Sequence, residues 1–123
     1  MARPKARADA GRPRLTPRVK VWVEAEDGFS FGSGLIEILQ AVGRAGSIKA
    51  AADELGRSYR HIWDRIKRAE AALGRTLIAA RVGGQGAHRS ALTDDGRQLI
   101  DDFLALRARM IAAMEHESAR WSR

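Results

Sequence analysis

Residues 57–75 concentrate the side chains best equipped to bind a ligand. Arg57, Arg60, Arg65, Lys67, Arg68 and Arg75 stand there against only two acids, Asp64 and Glu70. Ile62, Ile66, Ala69 and Leu73 recur at spacings of 4, 3 and 4, the signature of one buried helical stripe. With Ile62 at zero, Arg60, Asp64, Lys67 and Arg68 fall between about 140° and 240° around the helix, opposite that stripe. A cationic face of this kind suits a polyanion, and its donors match the base edges of duplex DNA. Arg60 can grip guanine O6 and N7 with its two-pronged guanidinium. His61, on the flank, can reach a base or a phosphate. Ser58 caps the helix on any reading and can also meet a phosphate, because helix N-termini favour anions. Tyr59, at about 60°, is expected to turn toward the core with its hydroxyl at the interface, and Trp63, at about 100°, to pack at the border. Arg57, in the preceding turn, is a phosphate-contact candidate. The alternative for Arg60 and Asp64, four apart, is a plain ion pair on a solvated surface. Taken alone, this helix favours the ion pair; inside a helix-turn-helix with this charge pattern, DNA contact is favoured.

Two neighbouring segments extend this face. Ser47 and Lys49 open the helix before it, with Lys49 as a phosphate ligand. Arg81, Gln85, His88 and Arg89 lie on the hairpin after it, within reach of the backbone or the adjacent minor groove. For His88 the simpler reading is an exposed loop histidine.

Composition narrows the remaining classes. The chain has 123 residues, 22 Lys plus Arg and 15 Asp plus Glu, for a formal net charge of +7. Apolar residues make up 45%, enough for one modest core. There is no cysteine, which excludes disulfides, thiolate metal sites and cysteine nucleophiles. The 3 histidines form no HExxH pattern, and no serine sits in a GxSxG elbow. Asp94-Asp95 and Asp101-Asp102 read as helix-terminus and surface charges, not metal ligands. Gly83-Gly84-Gln85-Gly86 has no GKS or GKT behind it and is a flexible tip. No apolar run approaches the ~20 residues that span a bilayer, and no apolar h-region follows the charged N-terminus. The expectation is a cytoplasmic, non-enzymatic protein with no cofactor, no metal and no membrane partner.

The elements that must position these residues are legible from pattern and caps. Residues 1–20 carry seven cations against Asp9, and all three prolines, so they read as a disordered basic arm that either solubilises or contacts phosphates. Val19, Val21 and Val23 alternate with Lys20, Trp22 and Glu24, which predicts a strand, with Trp22 on the face opposite the valines. Asp27-Gly28 predicts a turn and Phe29–Phe31 a short return. Leu35, Ile36, Ile38, Leu39 and Val42 predict a helix that Gly43 or Gly46 ends. Ser47 then caps a helix from Ile48 to about Leu55, and Gly56 stops it. After a turn of only Gly56 and Arg57, Ser58 caps the basic helix, which Gly74 ends: a helix-turn-helix pattern. Ala51 and Ala52 are small because these helices cross closely. Residues 76–82 and 88–92 predict a hairpin, placed where a wing would be.

Thr93 caps a last helix reaching about Arg120, with Asp94 and Asp95 at the positive end of its dipole. Its apolar residues form two adjacent stripes: Leu99, Phe103, Leu106, Met110 and Ala113, beside Ile100, Leu104, Ile111 and Met114. So wide a surface exceeds what a small domain can cover. Part of it is expected to pair with a second chain. Trp22, Leu99, Phe103, Leu106, Met110 and Met114 are the candidate dimer residues.

At this point the residues resemble a known family. Gly46-Ser47-Ile48-Lys49-Ala50-Ala51-Ala52, followed by Ser58-Tyr59-Arg60-His61-Ile62-Trp63-Asp64-Arg65-Ile66, resembles the N-terminal domain of ModE-type molybdate-responsive regulators, itself similar to the winged helix-turn-helix of LysR-type regulators. Ala91-Leu92-Thr93 with Gly96-Arg97 and Leu99-Ile100 looks like the start of that family's linker helix. The Trp63-Asp64 pair leans to the ModE side. The likeness covers about residues 19–115. It implies a mainly α fold with small β hairpins, a winged helix-turn-helix with a long C-terminal dimerisation helix, and a homodimer bound to double-stranded DNA as a sequence-specific transcriptional regulator. The expected organisation is an arm over 1–18, the DNA-binding domain over 19–93 and the dimerisation helix over 94–123. Relatives carry C-terminal molbindin domains, whereas this chain ends just after the linker helix. It therefore looks like a freestanding DNA-binding half, and molybdate is not expected to bind it. The competing reading is a DNA-coating, nucleoid-type protein or an adaptor that docks on another regulator.

Overall fold

The computed structural model describes residues 11–82 and 88–121. Two short strands, β1 (Trp22–Glu24) and β2 (Ser30–Gly32), precede three helices, α1 (Ser33–Ala45), α2 (Ile48–Leu55) and α3 (Tyr59–Leu73). A second hairpin, β3 (Ile78–Val82) and β4 (His88–Leu92), leads into the long α4 (Asp94–Ser118). Gln85 and the glycine tip around it lie outside the described residues, as do residues 1–10 of the expected arm and the side chain of His88.

The core is organised around α1. Leu35, Ile36, Ile38, Leu39, Ala41 and Val42 are all buried, so this helix is apolar around much of its girth. It packs against α2, α3, β4 and α4. Each of its large side chains contributes roughly 1.5–3 kcal/mol by leaving water. Onto it α3 lays Ile62, Ile66 and Ala69, and α2 lays Ala51 and Ala52, all fully buried. The two alanines let the helix pair close, as their size implies.

The termini follow the expected chemistry. The Ser47, Ser58 and Thr93 hydroxyl oxygens accept from the backbone N–H of Ala50, His61 and Gly96, each at 3.0 Å. Gly46, Gly56 and Gly74 end α1, α2 and α3 in the left-handed conformation. Of the two glycines able to end α1, Gly46 does so. Gly43 stays helical because it serves packing: a β-carbon there would come within 2.7 Å of Leu92 Cδ1.

The first hairpin is shorter than its valine alternation suggests. Its ladder runs only from Trp22↔Gly32 to Glu24↔Ser30. The partner strand has no more residues to offer, because α1 begins at Ser33. Phe29 falls in the connection, where its N–H donates to Asp27 Oδ1 at 2.9 Å. Val21 and Val23 pack on the core, and Trp22 faces outward, 54% exposed.

The long helix departs most from expectation. Phe103, expected at a dimer interface, is only 2% exposed. Its ring meets Phe31 of β2 with centroids 6.0 Å apart. Ile100 is also buried and Leu99 partly so. The first hairpin and α1 reach far enough to cover the opening turns of α4, so Leu99 and Phe103 belong to this chain's own core. Only further along do large apolar groups emerge: Leu104, Leu106 and Met110 are exposed, while Ile111 and Met114 are half-buried.

Two contacts hold the wing in place. Glu70 of α3 points back toward it, and its Oε2 accepts from the N–H of Leu77 at 2.8 Å and of Ile78 at 3.1 Å. At the other end, the start of α4 is pressed against Leu77, the residue that leads into β3. Thr93 N–H donates to the Leu77 carbonyl at 3.0 Å, and Gly96 sits so close that a β-carbon would lie 2.4 Å from that oxygen. Gly96→Ala therefore forces backbone apart and should lower stability by about 1–3 kcal/mol, read as a shift of the urea midpoint; an unchanged midpoint would refute the close approach. Glu70→Ala strands two part-buried amides and should cost about 1–3 kcal/mol. Hydrogen exchange should show the amides of Leu77 and Ile78 losing protection first, and equal protection in both proteins would contradict the anchoring role.

Candidate nucleic-acid interface

Burial of the Ile62, Ile66 and Ala69 stripe dictates what the rest of α3 can do. Arg60, His61, Asp64, Lys67 and Arg68 are exposed on the remaining arc, as is Arg57 in the turn. The turn is rigid: Gly56 is left-handed, and Arg57 N–H donates to the Ala52 carbonyl at 2.9 Å. Among the described residues, no ion pair joins Arg60 to Asp64, although their spacing allows one. Arg57, Arg60 and Arg68 likewise have no side-chain partner there. Three guanidiniums thus present all their donors to solvent.

Lys67 behaves differently. Its Nζ lies 3.3 Å from Glu70 Oε1 and 5.7 Å from the centroid of the Trp63 ring. It is exposed, but held toward the anchor of the wing. Tyr59 departs from its expected inward course and is 52% exposed. It is the first residue of α3, one turn before the stripe meets α1, so no core element lies beneath it. Trp63 sits at the border of the core, as its angle implies. Ser58 spends an oxygen lone pair on the helix N-terminus and keeps its proton for a further acceptor.

Lys49 at the start of α2 lies 3.5 Å from Asp53, with both side chains well exposed. Exposed pairs of this spacing contribute about 0.3–0.5 kcal/mol, little enough for a phosphate to displace. Ser47 is half-buried and occupied as a cap. In the wing, Arg81 pairs directly with Arg89 across the ladder, so two cations share one face at the same level. Like charges directly opposite are unfavourable, and an anion lying between them removes the penalty. The wing is braced against the turn between α1 and α2, because Ser90 N–H donates to the Gly46 carbonyl at 2.8 Å. The Arg89 guanidinium comes within 3.8 Å of the place a β-carbon would take on Gly46.

The start of α2, the outer face of α3 and the wing base are therefore bound into one frame. Glu70 is the residue that spacing did not single out as structural. Its signal was its place: an acid beside the apolar flank, in the last turn before a strand whose first amides need acceptors. Arg44, which pairs with Glu54 and so ties α1 to α2, was also passed over. No group of three or more His, Asp or Glu gathers as a metal site among the described residues, and none of their helices is long and apolar enough to cross a membrane.

This geometry has known counterparts. The chain is 36% identical over 81 residues to the molybdenum-pterin-binding protein MopB of Rhodobacter capsulatus, covering 66% of this chain and 30% of that protein. It is 29% identical over 98 residues to the molybdenum transport protein ModE of Azotobacter vinelandii, covering 80% and 36%. The chain thus spans about a third of the length of the curated relatives it matches. Among solved structures, the DNA-binding domain of CbnR in its complex with DNA is 27% identical, with a TM-score of 0.50, over 73% of this chain and 95% of that one. The DNA-binding domain of BenM with catB site 1 DNA shares the fold, with a TM-score of 0.54 at 20% identity, over 72% and 94%. Residues 34–97, from α1 into the first turn of α4, match the bacterial regulatory helix-turn-helix proteins of the lysR family, and the chain belongs to that family.

Proposed function

We propose that this chain is a sequence-specific transcriptional regulator that binds duplex DNA as a homodimer in the cytoplasm. Residues 19–93 form the DNA-binding domain and 94–123 the dimerisation helix. The observation that carries the reading is the bare cationic face of α3. Among the described residues, no acid pairs with Arg57 in the turn or with Arg60 and Arg68 on a helix whose opposite side is locked into the core. In this motif the second helix enters the major groove with its N-terminal residues at the base edges. Arg60, in the first turn, is the base-reading residue, while Arg57, Ser58, His61, Lys49 and Arg68 hold phosphates. Arg81 and Arg89, with Gln85 and His88, hold the neighbouring backbone. Asp64 and Lys67 border the base-reading surface.

Exposure of Leu104, Leu106 and Met110 along α4 supports pairing of two copies through that helix, with Met114 continuing the strip and Trp22 at the first hairpin. Two copies related by a twofold axis require two half-sites in opposite orientation. The likeness to MopB and ModE covers the helix-turn-helix portion, and the reading assigns this chain no molybdate site.

Selection of bound duplexes from a random pool tests recognition and symmetry together. A pseudo-palindrome with half-sites about one helical turn apart is expected. Uniform recovery of all sequences would instead mean a DNA-coating protein, and an asymmetric single site would remove the dimer. On the selected duplex, Arg60→Ala should weaken binding by about 1–3 kcal/mol and relax preference at one base pair. Retained affinity and preference in a mobility-shift titration would remove Arg60 from base readout.

A further inference from the structure

We infer that the segment from Arg12 to Lys20 is a second DNA-binding element, one that holds the phosphodiester backbone beside the groove entered by α3. The inference rests on the DNA-binding reading above and adds a site that lies outside the matched residues 34–97.

The segment carries Arg12, Arg14, Arg18 and Lys20 and no acid. All four are exposed, and none has an ion-pair partner among the described residues. The next acid along the chain, Glu24, accepts from Trp22 Nε1 at 3.0 Å. Residues 12–21 form neither helix nor strand. Pro13 and Pro17 account for this, since each removes a backbone donor and pushes the residue before it toward extended conformations. They also narrow the states the free chain samples, which lowers the entropy lost on ordering. In an extended chain, residues two apart point the same way about 7 Å from each other. Drawn out along a phosphate backbone in this way, Arg12 with Arg14, and Arg18 with Lys20, would be spaced like successive phosphates of one strand.

The point of attachment directs this segment to DNA and not to some other polyanion. The Val21 carbonyl lies 3.3 Å from the place a β-carbon would take on Gly32. Two residues further along, the same position at Gly34 is 3.8 Å from the Arg65 guanidinium of α3. Arg65 and Arg68, three apart, are neighbours on one flank of that helix, and neither has an ion-pair partner among the described residues. Cations thus run from the outer face of α3, through Arg68 and Arg65, to Gly34 at the start of α1, two residues from the glycine that the root of the segment meets. From that root the nine residues back to Arg12 can reach about 30 Å.

The test replaces Arg12, Arg14, Arg18 and Lys20 together by Gln in the full chain. Binding is titrated against salt on the selected duplex and on a scrambled duplex of equal length. Each phosphate contact contributes about 0.9 to the slope of log affinity against log salt, so four lost contacts flatten it by up to about 3.6 on both duplexes. A fourfold rise in salt then weakens the unsubstituted chain about a hundredfold more than the variant. Because the chain has no cysteine, Leu15→Cys provides a unique anchor for a tethered iron chelate. Cuts at fixed positions in the bound selected duplex are expected. An unchanged slope, or no cuts while the protein is bound, overturns the inference and leaves the role of α3 standing. Failure of the unsubstituted chain to bind either duplex overturns both.

Discussion

The structure depends on seating one helix against another. Ile62, Ile66 and Ala69 sink into the surface made by α1 and α2 and are fully buried. A helix is a stiff rod, so fixing one stripe fixes the azimuth of every other side chain on it. Once the stripe is seated, Arg60 and Arg68 have nowhere to go but outward. Ala51 and Ala52 are part of the same constraint, because a larger side chain at either place would lift α3 and rotate its cations away from their common plane. The hydrophobic effect, which has no directional preference, thereby aims a directional set of hydrogen-bond donors.

Electrostatics works against this arrangement in the free protein. The α3 cations without an ion-pair partner among the described residues share its exposed arc, Arg81 faces Arg89 across the ladder, and residues 12–20 add four more charges without an acid. The exposed ion pairs present, such as Lys49 with Asp53, are weak. The acid best used for stability is Glu70, whose Oε2 turns inward to bond two backbone amides while its Oε1 pairs with Lys67. Surface repulsion of this kind is tolerable because the core supplies the stability, and it favours association with a polyanion. One carboxylate also ties the start of the wing to α3.

The long helix divides its work along its length. Its opening turns, with Ile100 and Phe103, complete the core beneath the first hairpin. Its later turns leave Leu104, Leu106 and Met110 exposed to water. The same element thus serves folding at one end and leaves an apolar strip uncovered at the other. Thr93, Gly96 and the Leu77 carbonyl fix where it leaves the domain.

Much of this was legible residue by residue. The three hydroxyl caps, the left-handed glycine stops, the tight turn at Gly56-Arg57 and the inward stripe of α3 are local features, governed by chemistry within a few positions of chain. The sequence alone therefore determined the order of elements, the helix-turn-helix and the outward cations. Whether Phe103 faced a partner or its own hairpin depended on Phe31, more than seventy positions away. Whether Gly43 ended a helix or admitted Leu92 depended on a strand nearly fifty positions later. The pairing of Glu70 with the wing, the exposure of Tyr59 and the approach of Arg65 to Gly34 have the same origin. Periodicity reports which side of an element seeks cover, but not which distant surface provides it, and that was decided only when the helices and hairpins packed.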